Sequence, residues 1–386
     1  MWESPRVARV VVLACALGLL ALVLVPKATP LAHLEYWTAD WRTAFLSDTT
    51  HGEHPRLAVV VIDDKTLEPY PYLSPTDRGL LAEIVAALDK AGAAVIGLDF
   101  YFVKATEPPK DAAFIAALRP DATTAQIVLG VADERVGLNE SQRAFQDHYL
   151  AQIDRPQGYL NLKIEADGAV RYKPSTGDAP TVPLSFAQAI AAAADAPTTN
   201  GSTRIAWLLT PEGKSPFAIV RAEDLTAAAR DPSAQASGEL LSKIKGRIVL
   251  VGVDRPFLDQ HVTPLGVRTG SKMAGLLVHA QKVAELLDGR SVRELTDRQT
   301  QLLVLGMGLA GCVLSWLASR HGFNLGRWTL ATILFVAIDV ALFARWRLVL
   351  PFTMGLAAWV LGVTAGQFLS KSRFFAVRSR SPGSAP

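Results

Sequence analysis

The stretch Arg56-Leu-Ala-Val-Val-Val-Ile-Asp63-Asp64, followed later by Ala94-Val-Ile-Gly-Leu-Asp99, decides how the central part of this sequence folds. Each stretch is a continuous apolar run rich in β-branched residues, which is typical of a strand buried on both faces. Between the two runs, apolar residues recur at helical spacing as far as Gly92. The pattern predicts a strand, helix, strand unit with two parallel strands.

Parallel strands bring Asp63 and Asp99 to the same edge of the sheet, where open α/β sheets usually bind ligands. A second unit follows, in which the strand 247–252 leads into a loop with Asp259 and His261. If that strand is parallel as well, the four side chains can meet in one crevice. They can then hold a divalent cation or orient a polar ligand. The alternative is that they cap helices and tie down loops.

Two arginines are further candidates for the same site. Arg78 stands in the first turn of the predicted helix and can reach the crevice, or it can form a local salt bridge with Asp63, Asp64 or Asp77. Arg171 follows an Asp167-Gly168 hairpin turn and can contact a ligand, or it can be a paired surface group. His279 lies on an apolar helix, where we expect a hydrogen-bonded core histidine.

The composition is that of a membrane protein, because half of the 386 residues are apolar and the mean hydropathy is positive. The net charge of +3 is too small to indicate nucleic-acid binding. Neither a phosphate-binding loop nor a zinc-ligand spacing is found in the sequence. The two cysteines, Cys15 and Cys312, fall in apolar runs and give no disulfide framework.

Four apolar runs are long enough to predict membrane helices, at 7–26, 301–318, 327–344 and 348–369. They enclose one α/β domain at 30–298, with a largely parallel sheet. A short basic tail, 370–386, remains. Arginines and lysines near both ends predict cytoplasmic termini and a domain outside the cytoplasm of a cell (inner) membrane. For the first run, a cleaved signal peptide or lipoprotein signal are the alternatives to an anchor.

Asp339 lies inside an apolar run, where an ionisable group costs several kcal/mol unless it is paired or protonated. It is a functional candidate for that reason. The alternative is a polar contact with Thr353 or Gln367. The pattern Gly362-Val-Thr-Ala-Gly366 allows close approach of helices, either within the chain or in a homodimer.

A set of motifs, in this order, resembles the type-two CHASE domain, a sensory domain found outside the cytoplasm on bacterial and archaeal signalling proteins. The similar segments are Asp40-Trp-Arg42, Val61-Ile-Asp63-Asp64, Pro75 with Arg78, Ile96-Gly-Leu-Asp99, Gly158 to Asn161, Asp167 to Arg171, Lys245 to Gly252, Asp259 to Pro264, and His279-Ala280. They cover roughly residues 30 to 290. In the family, one membrane helix precedes the domain and three follow it. Here the tryptophan that often precedes the family's arginine is replaced.

The resemblance implies a sensor that detects an unidentified signal and relays it through its membrane helices. The family usually continues into a cytoplasmic output module, whereas about 17 residues follow Leu369 here. We therefore expect a separate signalling partner protein, and a homodimer is possible. The alternative function is a metal-dependent hydrolase outside the cytoplasm that uses the three aspartates and His261. The sequence identifies no cofactor, metal or ligand.

Overall fold

The computed structural model describes residues 5–24, 27–174, 181–211, 214–233, 235–318 and 325–371. The chain divides into two compact units. One unit combines the N-terminal part up to Arg42 with the part from Arg293 onward, and the other is Thr43–Val292. The second unit lies within the range 30–298 that the sequence suggested for the α/β domain.

The core of the central unit is one six-stranded sheet in which every neighbouring pair is parallel. Its strands are β1 (Leu57–Ile62), β2 (Val95–Leu98), β3 (Gln126–Val131), β4 (Gln157–Tyr159), β5 (Ala218–Arg221) and β6 (Ile248–Val253). Their spatial order is β4-β3-β2-β6-β1-β5. The prediction of a largely parallel sheet is confirmed, and β6 lies between the two strands of the first unit.

Fourteen α-helices are found in the described residues. They are α1 (Pro5–Leu24), α2 (Thr29–Leu46), α3 (Asp64–Leu67), α4 (Arg78–Lys90), α5 (Pro108–Leu118), α6 (Glu140–Ala151), α7 (Phe186–Ala193), α8 (Ala222–Arg230), α9 (Gln235–Ser242), α10 (Gly266–Thr269), α11 (Gly275–Asp288), α12 (Asp297–Ala318), α13 (Leu325–Trp346) and α14 (Phe352–Lys371).

Both faces of the sheet are covered by helices, and this explains why β1 is apolar without alternation. Val60 and its neighbours on one face pack with α4, α5, α6 and α8. Val59 and its neighbours on the other face pack with α7 and α11. The sheet is therefore the middle of three layers, which leaves only its edges for a binding site.

The predicted hairpin is divided between two structures. Gln157–Tyr159 joins the central sheet as its edge strand, whereas Lys163–Ile164 pairs antiparallel with Val170–Tyr172. Gly168 has a φ of +80°, the left-handed conformation that glycine adopts without strain. Further two-residue strands pair Asp48–Thr49 with Leu208–Leu209, Gln260–His261 with Met273–Ala274, and Arg293–Glu294 with Leu348–Val349.

Among the described residues, three helices are long and apolar enough to cross a membrane: Asp297–Ala318, Gly326–Trp346 and Phe352–Ser370. The helix α13 extends the predicted run 327–344 by two residues at each end. In α1 the apolar helix found among the described residues is the shorter Cys15–Leu24. Three of the four predicted spans thus correspond to candidate membrane helices. The loop 319–324 and most of the basic tail lie outside the described residues.

The Gly362–Gly366 pattern lies where α14 crosses α12. A Cβ added at Gly362 would overlap the carbonyl oxygen of Gly308, and one at Gly366 would overlap that of Cys312. From the other side, a Cβ at Gly311 would come within 2.7 Å of the carbonyl oxygen of Trp359. Of the two alternatives left by the sequence, this pattern serves packing within the chain.

Candidate functional site

Asp63 follows β1 directly and caps the short helix α3. Its Oδ1 accepts hydrogen bonds from the backbone N–H of Thr66 at 2.8 Å and from the Thr66 hydroxyl at 2.9 Å. Partial burial raises the pKa of Asp63, but these bonds and the nearby Arg221 outweigh it and lower the pKa below its usual value. Asp63 thus performs the capping role that the sequence left as an alternative.

Asp99 follows β2 and occupies a different environment. Gly252 of the adjacent β6 makes room for it, since a Cβ there would lie 3.1 Å from the Cβ of Asp99. Burial first, and then the charge of Asp259, raise the pKa of Asp99 to about 8, although Lys282 opposes them. The carboxyl group is therefore mostly protonated at neutral pH.

Asp259 and His261 lie together in the loop after β6. The Nε2 atom of His261 is 2.8 Å from Oδ1 of Asp259. The Asp259 backbone has a φ of +50°, and its carbonyl accepts a 2.9 Å hydrogen bond from Gly275 at the start of α11. Asp259 is electrostatically coupled to Asp99, whereas the charge that acts on Asp63 is that of Arg221. The close arrangement of all three aspartates stays a prediction.

Arg78 is fully buried between helices. Its guanidinium lies 4.8 Å from the ring centre of Phe102 and 5.9 Å from that of Tyr149, and its Nε is 3.5 Å from Oδ1 of Asp111. The sequence suggested a local salt bridge with Asp63, Asp64 or Asp77, but the partner is Asp111 of α5. A ligand role for Arg78 is untested.

Arg171 forms a two-point ion pair with Asp167 across the hairpin turn, with N–O distances of 2.9 and 2.6 Å. Glu165 lies 3.6 Å away on the other side. The side chain is buried, and its charge is compensated by these two carboxylates. The paired alternative therefore describes Arg171 best, and its contact with a ligand stays a prediction.

Helix α11 is buried on nearly every side, yet it carries four buried polar residues. Gln281 bridges the backbone of Leu208 through hydrogen bonds of 2.8 and 3.0 Å, and His279 contacts the carbonyl oxygen of Leu160 at 3.1 Å. Burial lowers the pKa of His279 well below its usual value, so it is a neutral core histidine as expected. The other two buried polar residues are Lys282, which lines a polar cavity, and Glu285, which accepts a hydrogen bond from Lys173 of the cavity wall.

This polar cavity lies beside β4, between α7 and α11, and has a volume of about 590 Å³. Its lining comprises Tyr159, Lys163, Tyr172, Lys173, Pro174, Ser185, Ala187, Gln188, Thr198, Thr199, Gly201, Ser202, Thr203, Lys282 and Leu286. Small-molecule pockets usually measure roughly 300–1,000 Å³. The volume and the hydroxyl-rich wall suit a small polar ligand.

No three or more histidine, cysteine, aspartate or glutamate side chains are placed to hold a metal ion in the part of the chain that the structure describes. Asp63 caps helix α3, and Asp259 and His261 contact each other. The three aspartates and His261 therefore do not form such a group among the described residues, and the hydrolase alternative stays untested.

Asp339 of α13 is buried and forms an ion pair with Arg42 of α2, which is equally buried. The sequence suggested Thr353 or Gln367 as polar contacts, and this was wrong. Gln367 donates a 2.9 Å hydrogen bond to Ser315, and the N–H of Thr353 donates to Glu35. The correct partner lies almost three hundred positions away, which no sequence spacing indicates.

Glu35, about two turns before Arg42 on α2, caps the start of α14. Its two carboxylate oxygens accept hydrogen bonds from the N–H groups of Phe352 at 3.0 Å and Thr353 at 2.7 Å. A carboxylate at a helix N-terminus accepts hydrogen bonds from free N–H groups and interacts favourably with the positive end of the helix dipole. One helix, α2, is thereby tied to both α13 and α14.

Sequence reasoning missed several of these residues. Lys282 and Glu285 break the apolar pattern of α11, and that interruption was a signal available in the sequence. Lys163, Lys173 and Glu35 gave no such signal, because isolated charges on short strands or amphipathic helices are usually solvated.

The family model described as CHASE2 domain matches residues 12–318 of the chain. No curated protein and no solved structure matches it. The matched range contains all six strands of the central sheet, the polar cavity and α2.

Proposed function

Because this chain belongs to the CHASE2 domain family, a family of sensory domains, we propose that it is a membrane-anchored receptor of a bacterial inner membrane. Its α/β unit lies outside the cytoplasm and detects a signal. Its membrane helices carry the resulting change to a separate signalling protein. In this proposal α1 is a fourth span, which puts both termini on the cytoplasmic side.

The attachment of α2 to the membrane helices is the observation that carries the proposal. The boundary between the two units falls between Arg42 and Thr43, inside α2. On one side of this boundary, Arg42 pairs with α13 and Glu35 caps α14. A displacement of α2 would therefore pull on two membrane helices through buried polar contacts, which have few alternative partners in an apolar environment.

The exposed side of α13 suits contact with lipid and with a partner helix. Leu330, Ile333, Leu334 and Ile338 are between 47% and 67% exposed, whereas Asp339 on the same helix is 3% exposed. A receptor shifts an equilibrium only as far as its ligand distinguishes two states, and the shift must then be read by a contacting group. We place that contact on the exposed side of α13.

Site-specific photo-crosslinking in native membranes tests the relay. A photoreactive residue at Leu334, on the exposed side of α13, should give an adduct with a protein that carries a cyclase or kinase output domain. The same residue at Val304, which is buried in α12, is the matched control and should give none. Introducing Arg42→Met should reduce the adduct at Leu334. Adducts only with lipid or with a second copy of the chain would overturn the relay to a separate partner.

A further inference from the structure

Lys282 is the deepest charged group of the polar cavity. The residue is 2% exposed, and its Nζ donates no hydrogen bond to any group among the described residues. A buried ammonium group without a partner is strongly destabilising, so such groups are normally paired. The described residues therefore place no hydrogen-bonded counter-charge at the Lys282 ammonium group.

The neighbouring charges do not compensate Lys282. Glu285 is fully buried, but its Oε1 accepts hydrogen bonds from Lys173 at 2.9 Å and from Asn200 at 2.6 Å. Asp99 is near enough to interact, yet its pKa of about 8 leaves it mostly neutral at pH 7. Arg135 acts on Lys282 as a further positive charge. Burial lowers the pKa of Lys282 to about 8, and Glu285 only partly opposes this.

The rest of the cavity wall adds positive charge and hydroxyl groups. Lys163 is exposed at the wall, with its Nζ 4.8 Å from the ring centre of Tyr172. Lys173 forms an ion pair with Glu285. None of the described residues that line the cavity is acidic. The wall also carries hydroxyl and amide groups, which both donate and accept hydrogen bonds, from Tyr159, Tyr172, Ser185, Gln188, Thr198, Thr199, Ser202 and Thr203.

We propose that this cavity binds a small hydroxylated organic anion, with its carboxylate on Lys282 and its hydroxyl groups on the serine and threonine wall. The anion supplies the counter-charge that Lys282 lacks. If the proposed receptor function holds, this ligand is the signal that the receptor detects. In that respect the inference rests on the proposed function. Binding itself does not depend on the relay.

The test is isothermal titration of the purified full-length chain in detergent at pH 7, with L-malate, D-gluconate and D-galacturonate as probes. We expect at least one probe to bind. D-Galactose, the uncharged counterpart of D-galacturonate, should bind at least about 30-fold more weakly, because it lacks the charge-assisted hydrogen bond. Inorganic phosphate has the charge without the larger hydroxylated body, and it should also bind more weakly.

Two variants locate the site. Lys282→Met keeps most of the length of the side chain and should weaken binding of the probe by about 30-fold, the value of a charged hydrogen bond. Lys163→Gln changes an exposed side chain, so its folding is not at risk, and it should weaken binding by a few-fold. Lys104→Gln, an exposed lysine outside the cavity, is the control and should bind normally.

Failure of all three probes to bind would overturn the proposal. Equal binding of galactose or of phosphate would also overturn it, as would unchanged affinity in both Lys282→Met and Lys163→Gln. If a probe binds as expected while no partner adduct forms in membranes, the binding site stands and the receptor relay fails. The two proposals can therefore fail separately.

Discussion

Asp63 and Asp99 follow two strands of the same parallel sheet, but their protonation responds to folding in opposite directions. In the unfolded chain an aspartate loses its proton near pH 3.9. In the folded chain burial and Asp259 raise the pKa of Asp99 to about 8, whereas the hydrogen bonds from Thr66 lower that of Asp63. The two residues therefore contribute to stability in different pH ranges.

We expect the free energy of unfolding to fall between pH 5 and pH 7 because of Asp99. In this range the folded protein holds a proton that the unfolded chain has released, so each pH unit removes up to about 1.4 kcal/mol. Lys282, with a pKa of about 8, stays charged in both states below pH 7 and adds little. The variant Asp99→Asn should flatten this dependence. Chemical unfolding of the full-length chain in detergent, followed by circular dichroism, measures it.

Asp63→Asn is the matched control for that experiment. Because folding lowers the pKa of Asp63, its carboxylate stabilises the wild-type fold at pH values above the usual aspartate pKa. This contribution is lost only as the pH falls below about 4. Asparagine also caps helices nearly as well as aspartate. The slope between pH 5 and pH 7 should therefore equal that of the wild type. An unchanged slope in Asp99→Asn would show that Asp99 is ionised in the folded state.

The buried ion pair of Arg42 and Asp339 gives a second prediction. Either Arg42→Met or Asp339→Leu alone leaves an uncompensated buried charge and should cost about 3–5 kcal/mol. The double variant should recover a large part of this loss, since apolar replacements of a buried pair are often neutral. Thermal unfolding of the detergent-solubilised chain measures the cycle. The control is Arg345→Ala, which changes an exposed residue of α13, the helix that carries Asp339. If the losses of the two single variants add up in the double variant, the pairing is contradicted.

Single residues differed in how well the sequence revealed them. Asp339 stood out because a carboxylate in an apolar run has no low-energy explanation except pairing or function. Its partner Arg42 could not be found, because a tertiary contact between distant segments leaves no local pattern. Lys282 could have been noticed in an otherwise apolar helix, but only the structure reveals that its ammonium group lacks a partner.

At the scale of elements, the crossing of α12 and α14 depends on glycine residues, which have no side chain. The helices approach so closely at Gly362 and Gly366 that an added Cβ would overlap backbone carbonyl oxygens. Close backbone approach of this kind provides the packing that holds membrane helices together, where the hydrophobic effect between helices is absent.

We expect Gly362→Ala to separate the two helices and to cost about 1–3 kcal/mol, the usual penalty for overpacking. Gly306→Ala on α12 is the matched control, because nothing described lies within 4 Å of a Cβ added there, and it should be neutral or slightly stabilising. Thermal unfolding in detergent compares the two variants. A Gly362→Ala protein as stable as Gly306→Ala would show that the helices are not packed this closely.

The apolar runs predicted most of the elements correctly, for physical reasons that can be named. β1, β2, β3 and β6 are buried on both faces, so burial produces an unbroken apolar signal. β5 is a four-residue edge strand with alternating burial, and so short a pattern was overlooked. The order of the strands was not predictable, because nothing local places β6 between β1 and β2.

At the scale of the whole chain, the proposed topology is directly testable. We expect a reporter that is active only outside the cytoplasm to be active when fused at Asp195, in the α/β unit, and inactive at Ser384. The reason is the excess of basic residues near both ends of the chain, which favours the cytoplasmic side. A cytoplasm-only reporter at the same two positions should give the reverse pattern. Activity of the first reporter at Ser384 would contradict four spans.

The position of β6 in the sheet also governs when this protein can fold. Leu57 and Val95 both lie beside Ile248, which is synthesised near the end of the α/β unit. Until that segment has emerged, β1 and β2 lack their common neighbour, and two apolar strands keep unpaired edges that favour aggregation. Such late, long-range pairing is typical of slow folding. Under the proposed topology, most of the unit must therefore be exported and kept from aggregating before its sheet can close.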